Sequence, residues 1–391
     1  MDKKITIGLF VDSFFPMMDG VCMVVDNYAK RLIKYANVIV FAPDSSGGKY
    51  DDSKLSYKVV RCRSIKFHFS AYKMPLPNVD RKFIKELEKY NLDIVHIHSP
   101  FMIGEKGVEY AKKHGIPSIG TMHTQFKKDI KKALKNDKIT EIVNKKTIDV
   151  FNKCDECWAV NSEVAKIFYE EYGYKEMPKV MNNATEMMPV KDKDEARSFI
   201  NKKYNIDEDE KVFLFVGRIN SLKNIFFIAE SLRILKEKNP NFKFKMLFVG
   251  AGLDEEELRE TIKRNNMENE IIMCGQITDR EELAKYYVRA DLFLFPSLYD
   301  ASSIVQIEAA SQCTPCLFLE GAATTATIDP NRNGYISKND VNEYADNIIK
   351  IIKDEQQYKE VSENCFKEIY KNWDDTIEEV YNKYLDIINK K

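Results

Sequence analysis

Val212 to Arg218 reads VFLFVGR, five consecutive apolar residues closed by Gly-Arg, and this stretch decides the fold. A run this short is a strand length rather than a helix length. Because apolar and polar residues do not alternate in it, both faces of the strand must be buried, as in a parallel sheet. Four further runs of the same kind follow it: FKMLFVG (244–250), EIIMCGQ (270–276), LFLFPS (292–297) and PCLFLE (315–320). Amphipathic stretches separate them, and one carries a capping-box start, Thr278-Asp279-Arg280-Glu281, ahead of ELAKYYVRA. Strand, helix, strand in this order is a doubly wound α/β domain.

The same rhythm runs upstream. ITIGLFV (5–11), NVIVFAP (37–43), DIVHIHS (93–99) and SIGTMH (118–123) alternate with VVDNYAKRLIKY and GVEYAKKHG, and a polar, charge-dense stretch from Val190 to Lys211 separates the two series. With 391 residues the chain has room for two ordinary domains. The expected division is 1–187, 188–370 and a terminal segment, 371–391, whose Ile377, Val380, Tyr381, Tyr384 and Ile387 stand at helical spacing and could pack across both domains.

Composition narrows the function. Apolar residues make up 44% and charged residues 31%, as in a globular protein, and 60 basic against 61 acidic residues give no global attraction to nucleic acid. Asp12 interrupts the first apolar run too early for a signal peptide, and no run is long enough to span a membrane, so the expected compartment is the cytoplasm. Eight cysteines include two C-x-x-C pairs, Cys154 with Cys157 and Cys313 with Cys316. They lie far apart, and buried reduced thiols are expected rather than a metal site. The five histidines are at 68, 96, 98, 114 and 123; His96 and His98 share one side of a strand, but no cysteine or acidic cluster accompanies them as further metal ligands.

Ligands of parallel sheets bind beyond the carboxyl ends of strands, so candidate site residues are sought there. The first strand leads into SFFPMMDGV, where Gly20 would let a ligand approach the backbone; a turn glycine would read the same way. His123 closes SIGTMH and could donate to a hydroxyl or phosphate. Gly217, Arg218 and Lys223 put two cations beside a strand end, suited to a diphosphate, although two solvated basic residues fit the same spacing. In Pro296–Ala310, Asp300 and Glu308 flank the small residues Ser302 and Ser303 and then Ile304, whose backbone amides at a helix start could hold an anion while the carboxylates accept sugar hydroxyls.

Taken in order, FFPMMDGV, VGRINSLKN, LFVGAGLDEEEL and PSLYDASSIVQIEAASQCTPC resemble glycosyltransferase family 4, retaining enzymes of the GT-B fold, nearly end to end. The resemblance implies two Rossmann-like doubly wound parallel-sheet domains facing a cleft, with the last helix returning to the first domain. It implies that Arg218 and Lys223 hold the donor diphosphate, Asp300 the sugar hydroxyls, Glu308 the ribose, and Ser302, Ser303 and Ile304 supply amides. Gly275 to Ile277 would lie near the base, Gly20 would be the loop glycine and His123 the active-site histidine. A nucleotide sugar, UDP-glucose by family frequency, is the implied donor, with no metal or other cofactor.

The sequence departs from the family at Asp300, usually Glu, at Ala301, Ser303 and Cys313, usually Gly, and at Asn183-Ala184-Thr185-Glu186. HIHSPFMIG with GTMHTQFKKDIKK resembles members that glycosylate diacylglycerol. Lys127, Lys128, Lys131, Lys132, Lys135 and Lys138 interleave with Phe126, Ile130, Ala133 and Leu134, so 126–138 reads as a basic amphipathic helix that would bind an anionic membrane face, or as a solvated lysine face. Two other readings keep this fold: a sugar-nucleotide epimerase, and a degenerate partner subunit of a transferase.

Overall fold

The computed structural model describes residues 4–66, 73–124, 126–127, 130–131 and 136–391. His68 and, within the lysine-rich segment, residues 128, 129 and 132–135 lie outside them. The chain divides into two compact units, Met1–Asn183 with Trp373–Lys391, and Ala184–Asn372.

The first unit is built on β1 (Thr6–Phe10), β2 (Asn37–Pro43), β3 (Lys58–Cys62), a short antiparallel pair β4 (Ser64–Lys66) and β5 (Lys73–Pro75), then β6 (Ile94–Ile97), β7 (Ser118–Met122), β8 (Glu156–Ala159) and β9 (Lys179–Val180). Its main sheet has the order β3-β2-β1-β6-β7-β8-β9, every pairing parallel. All four residues of β6 and all five of β7 are buried, and their polar residues are hydrogen-bonded inside, His96 with Thr121 at 2.6 Å and the Ser118 hydroxyl to Asp155 at 3.1 Å.

The second unit carries β10 (Lys211–Val216), β11 (Phe244–Val249), β12 (Ile271–Gly275), β13 (Leu292–Leu294), β14 (Cys316–Leu319) and β15 (Tyr335–Ser337) in the order β12-β11-β10-β13-β14-β15, again all parallel. In each sheet the strand order reverses beside the first strand, at β1/β6 and at β10/β13. Ligands of open parallel sheets bind at such switch points. Gly20 follows β1, Gly217 to Lys223 follow β10 and Asp300 to Glu308 follow β13, whereas His123 follows β7 and Gly275 closes β12, each one or two strands away from the switch point.

The helix Trp373–Lys390 belongs to the first unit rather than spanning both. Trp373, Ile377, Val380 and Tyr384 are buried along one face. Tyr381 stacks on Tyr35 with ring centroids 5.0 Å apart, and Asp374 pairs with Lys34 at 2.6 Å. The eight cysteines are all free thiols, and those of the first C-x-x-C pair donate to the backbone, Cys154 to Val150 O and Cys157 to Phe151 O. No described helix is long and apolar enough to cross a membrane.

Candidate functional site

In the second unit, the loops leaving β10 and β11 touch backbone to backbone. The Ile219 amide donates to Ala251 O at 3.1 Å and the Gly217 amide to Val249 O at 3.0 Å. Gly250 lies so close that a Cβ there would stand 1.9 Å from the Gly217 carbonyl oxygen, and its φ of +142° is one that side chains rarely adopt. Its amide in turn donates to Gly275 O at 2.8 Å, joining the end of β12 to the same loop layer, and Ile277 packs against the core just beyond. Gly250→Ala must therefore push the Gly217-Arg218 turn aside. The expected loss is roughly 2 kcal/mol of stability, together with weaker nucleotide binding, measured by thermal unfolding with and without UDP.

After β13 the chain turns through 296–303 into the helix Ile304–Ser311. Asn224 Nδ2 donates to Pro296 O at 3.2 Å, which ties this turn to the loop after β10. Lys223 Nζ there pairs with Asp300 Oδ1, the two side chains only 13% and 16% exposed. Asp300 Oδ2 is buried and has no hydrogen-bond partner among the described residues. A buried carboxylate oxygen left without a donor is costly unless something supplies one. Beside it, Ser303 precedes the helix without a side-chain capping bond, so the first amides remain open to an anion. Ser303 has φ of −104° and Ala301 is not among the positive-φ residues, so neither position needs glycine. Arg218 is exposed and forms no ion pair among the described residues.

Cys313 differs. It has φ of +63° and closes the helix in a Schellman turn, its amide donating to Ala310 O and that of Thr314 to Ala309 O, both at 3.0 Å. A left-handed cysteine is strained where glycine is not. Cys313→Gly is expected to raise stability by about 0.5–1 kcal/mol, read from the urea midpoint at constant slope.

Glu308 lies in the same helix and is 3% exposed. Arg280 pairs with its Oε1, and the Tyr287 hydroxyl donates to its Oε2 at 3.0 Å. In the sequence Arg280 is part of a capping pattern, and Tyr287 only a residue of the helical stretch ELAKYYVRA that follows it. Neither their position nor their type signals that they share a carboxylate.

In the first unit, Gly20 opens the helix Gly20–Leu32, and a Cβ there would meet nothing within 4 Å. Asp19 already caps this helix, accepting from the Cys22 amide at 2.8 Å. The open space therefore suits a hydroxyl better than an anion. His123 is half-buried at the end of β7, and its Nε2 lies 3.0 Å from His98 Nδ1. His96 lies beside them, with its Nδ1 2.5 Å from Tyr384 Oη and its Nε2 2.6 Å from Thr121 Oγ1. Burial keeps the protonation of all three histidines depressed, that of His123 down to about 3.

The basic segment departs from its expected form. Phe126, assigned to its apolar face, is buried against Phe168 and Tyr172, at 5.3 and 5.4 Å between centroids. Lys127 and Lys131 pair with Glu141 and Asp137, both at 2.9 Å. Among the described residues, exposed apolar side chains stand further on, Ile139 at 46% and Ile142 at 64%, in the helix Asp137–Asn152 beside exposed Lys138, Lys145 and Lys146.

Residues 18–185 match the family described as Glycosyltransferase Family 4 and residues 196–368 that described as Glycosyl transferases group 1. The chain is similar to the alpha-monoglucosyldiacylglycerol synthase of Acholeplasma laidlawii, 24% identical with 98% of each chain covered. It is also similar to that of Streptococcus pneumoniae, 27% identical over 80% of this chain and 70% of that protein. Among solved structures, a glycosyltransferase from Rickettsia africae superposes with a TM-score of 0.75 at 17% identity, covering all of both chains. Anabaena HepE in complex with UDP gives 0.77 at 14% identity, covering 98% of this chain and all of that one. At such identities these structures show the fold. With two parallel-sheet units of matching topology and family matches over both, the chain belongs to glycosyltransferase family 4, with the GT-B fold, and is a glycosyltransferase.

Proposed function

We propose that this enzyme transfers a hexose, glucose in the first instance, from a uridine diphosphate sugar to a lipid hydroxyl with retention of the anomeric configuration. The observation that carries the reading is the buried, unpartnered Asp300 Oδ2 beside the uncapped start of the helix Ile304–Ser311, with Lys223 paired to the same carboxylate. A sugar hydroxyl satisfies the carboxylate oxygen. The diphosphate takes the open amides of Ser303 and Ile304 together with Arg218 and Lys223. Glu308 keeps lone pairs for a ribose hydroxyl while it orients Arg280. Gly250 allows the close packing against Gly217 that sets Arg218 in place, and Gly275, with φ of +72°, supplies the turn that leads to Ile277.

In this reading the chemical step is carried by positioning and charge. As the sugar–phosphate bond breaks, negative charge grows on the diphosphate, and Arg218, Lys223 and the helix start stabilise it. The acceptor hydroxyl attacks the face that the diphosphate leaves, and His123 and the space at Gly20 serve the first unit's side of the reaction. A diacylglycerol acceptor is supported by the names of the two curated relatives. It is also supported by Ile139 and Ile142 beside Lys138, Lys145 and Lys146, where each lysine near an anionic surface adds roughly 1 kcal/mol.

The test offers UDP-glucose, UDP-galactose and UDP-N-acetylglucosamine to the enzyme with diacylglycerol in anionic or neutral vesicles. Nucleotide release and product configuration are followed by NMR. The reading expects an α-glycolipid from one donor, faster on anionic vesicles and slowed by salt. Conversion of the sugar without acceptor would identify an epimerase, and no release with any donor a catalytically degenerate subunit.

A further inference from the structure

His98 is 2% exposed on the strand end beside β7, and its ring engages His123 through one nitrogen only. Its other nitrogen, Nε2, is buried without a hydrogen-bond partner among the described residues. His96, 4.1 Å away between ring centroids, cannot serve it, because both His96 nitrogens are taken by Tyr384 and Thr121. Tyr28 presents only its ring, perpendicular at 5.1 Å. A neutral imidazole carries one N–H and one bare nitrogen. An N–H buried without an acceptor is the rarer and costlier arrangement than a bare acceptor without a donor. The proton of His98 therefore belongs on Nδ1, where it donates to His123 Nε2. That bond makes His123 Nε2 an acceptor and puts the His123 proton on Nδ1.

We propose that His98 is a positioning residue that holds His123 in its Nδ1–H tautomer, so that His123 offers a substrate at the end of β7 a hydrogen-bond donor and not a base. The functional half of this inference rests on the proposed function, which gives His123 a part in the reaction; the tautomer itself does not. Burial keeps both rings neutral, so the donor is present across the physiological range. The same geometry explains how two histidines come to lie in contact in a buried place without a carboxylate or metal between them.

The experiment is a long-range proton–nitrogen correlation spectrum of the full chain labelled with nitrogen-15 histidine, the His123 signals being assigned from His123→Gln. The wild type is expected to show His123 protonated at Nδ1. His98→Asn places an amide N–H where Nδ1–H stood, and should keep that tautomer and most of the turnover. His98→Leu should lose it and lower turnover roughly tenfold, the worth of one such bond. A wild-type His123 protonated at Nε2 overturns the proposal, as does an unchanged Nδ1–H signal in His98→Leu. The wild-type spectrum decides the tautomer even where His98→Leu fails to fold. Normal turnover in His123→Gln would instead remove His123 from the reaction while leaving the tautomer assignment standing.

Discussion

Arg218→Ala is expected to lower turnover at saturating donor about a hundredfold or more while leaving thermal unfolding nearly unchanged. Both halves follow from where the side chain stands. Arg218 is exposed at the end of β10 and forms no ion pair among the described residues, so its removal breaks nothing in the folded state. Exposed substitutions of this kind stay within about 0.5 kcal/mol. Its expected task is to meet charge that appears only when the sugar–phosphate bond breaks, and a group acting there changes turnover more than ground-state binding. A charge-assisted contact of roughly 3 kcal/mol corresponds to about two powers of ten in rate. Steady-state kinetics on the purified variant, with its melting curve beside them, give the answer. Near-normal turnover in a folded Arg218→Ala enzyme would take the diphosphate away from this residue. Glu308→Ala is a poorer probe, because it also strands Arg280 and the Tyr287 hydroxyl.

The first unit is expected to lose stability steeply as pH falls below about 6.5, and the second unit to be far less affected. His96, His98 and His123 are held neutral by burial, with mutual repulsion as a lesser cause for His96 and His98. In the unfolded chain each protonates near 6.5, so there the unfolded state binds more protons than the folded one. Stability is then fully present above that pH and is lost as pH drops toward the folded values. Each histidine contributes a slope of about 1.4 kcal/mol per pH unit, and three together about 4, against a total of roughly 5–15 kcal/mol for a domain. Asp12 works the other way, since burial raises its pKa, but it is a single group. All five histidines of the chain precede residue 124, so the second unit has none. The two tryptophans, Trp158 and Trp373, are both buried in the first unit, and Trp158 lies 5.2 Å from His96 between ring centroids. Tryptophan fluorescence during urea unfolding at pH 7.5, 6.5, 5.5 and 5.0 therefore reports this unit alone. A midpoint that does not move between pH 6.5 and 5.0 would mean that the histidines are charged in the folded state.

Much of the architecture was legible one stretch at a time, because a strand covered on both faces is written as an unbroken apolar run and a helix as an amphipathic period. VFLFVGR, FKMLFVG and LFLFPS became β10, β11 and β13, and the groups that follow them sit at the sheet's switch point because strand order, not local sequence, brings those ends together. Lys223 and Asp300 were separate candidates 77 residues apart, and only the adjacency of β10 and β13 makes them a pair.

Where a residue's meaning depended on what it touches, the sequence was silent or misleading. Phe126 reads as the apolar side of a surface helix and is instead buried in an aromatic cluster, since amphipathic spacing does not say which side faces the core. Cys313 looks like a plain departure from glycine until its backbone is seen in the left-handed region. Sequence alone determined the two doubly wound units, the strand ends that carry the site and the family resemblance, all of which are local patterns. Tertiary structure alone decided that His98 bonds to His123, that Tyr384 closes on His96 across 288 residues, and that Arg280 and Tyr287 share Glu308. Hydrogen bonds between side chains far apart in the chain leave no period or spacing in the sequence, because the energy that selects them depends on distance and burial in the folded state.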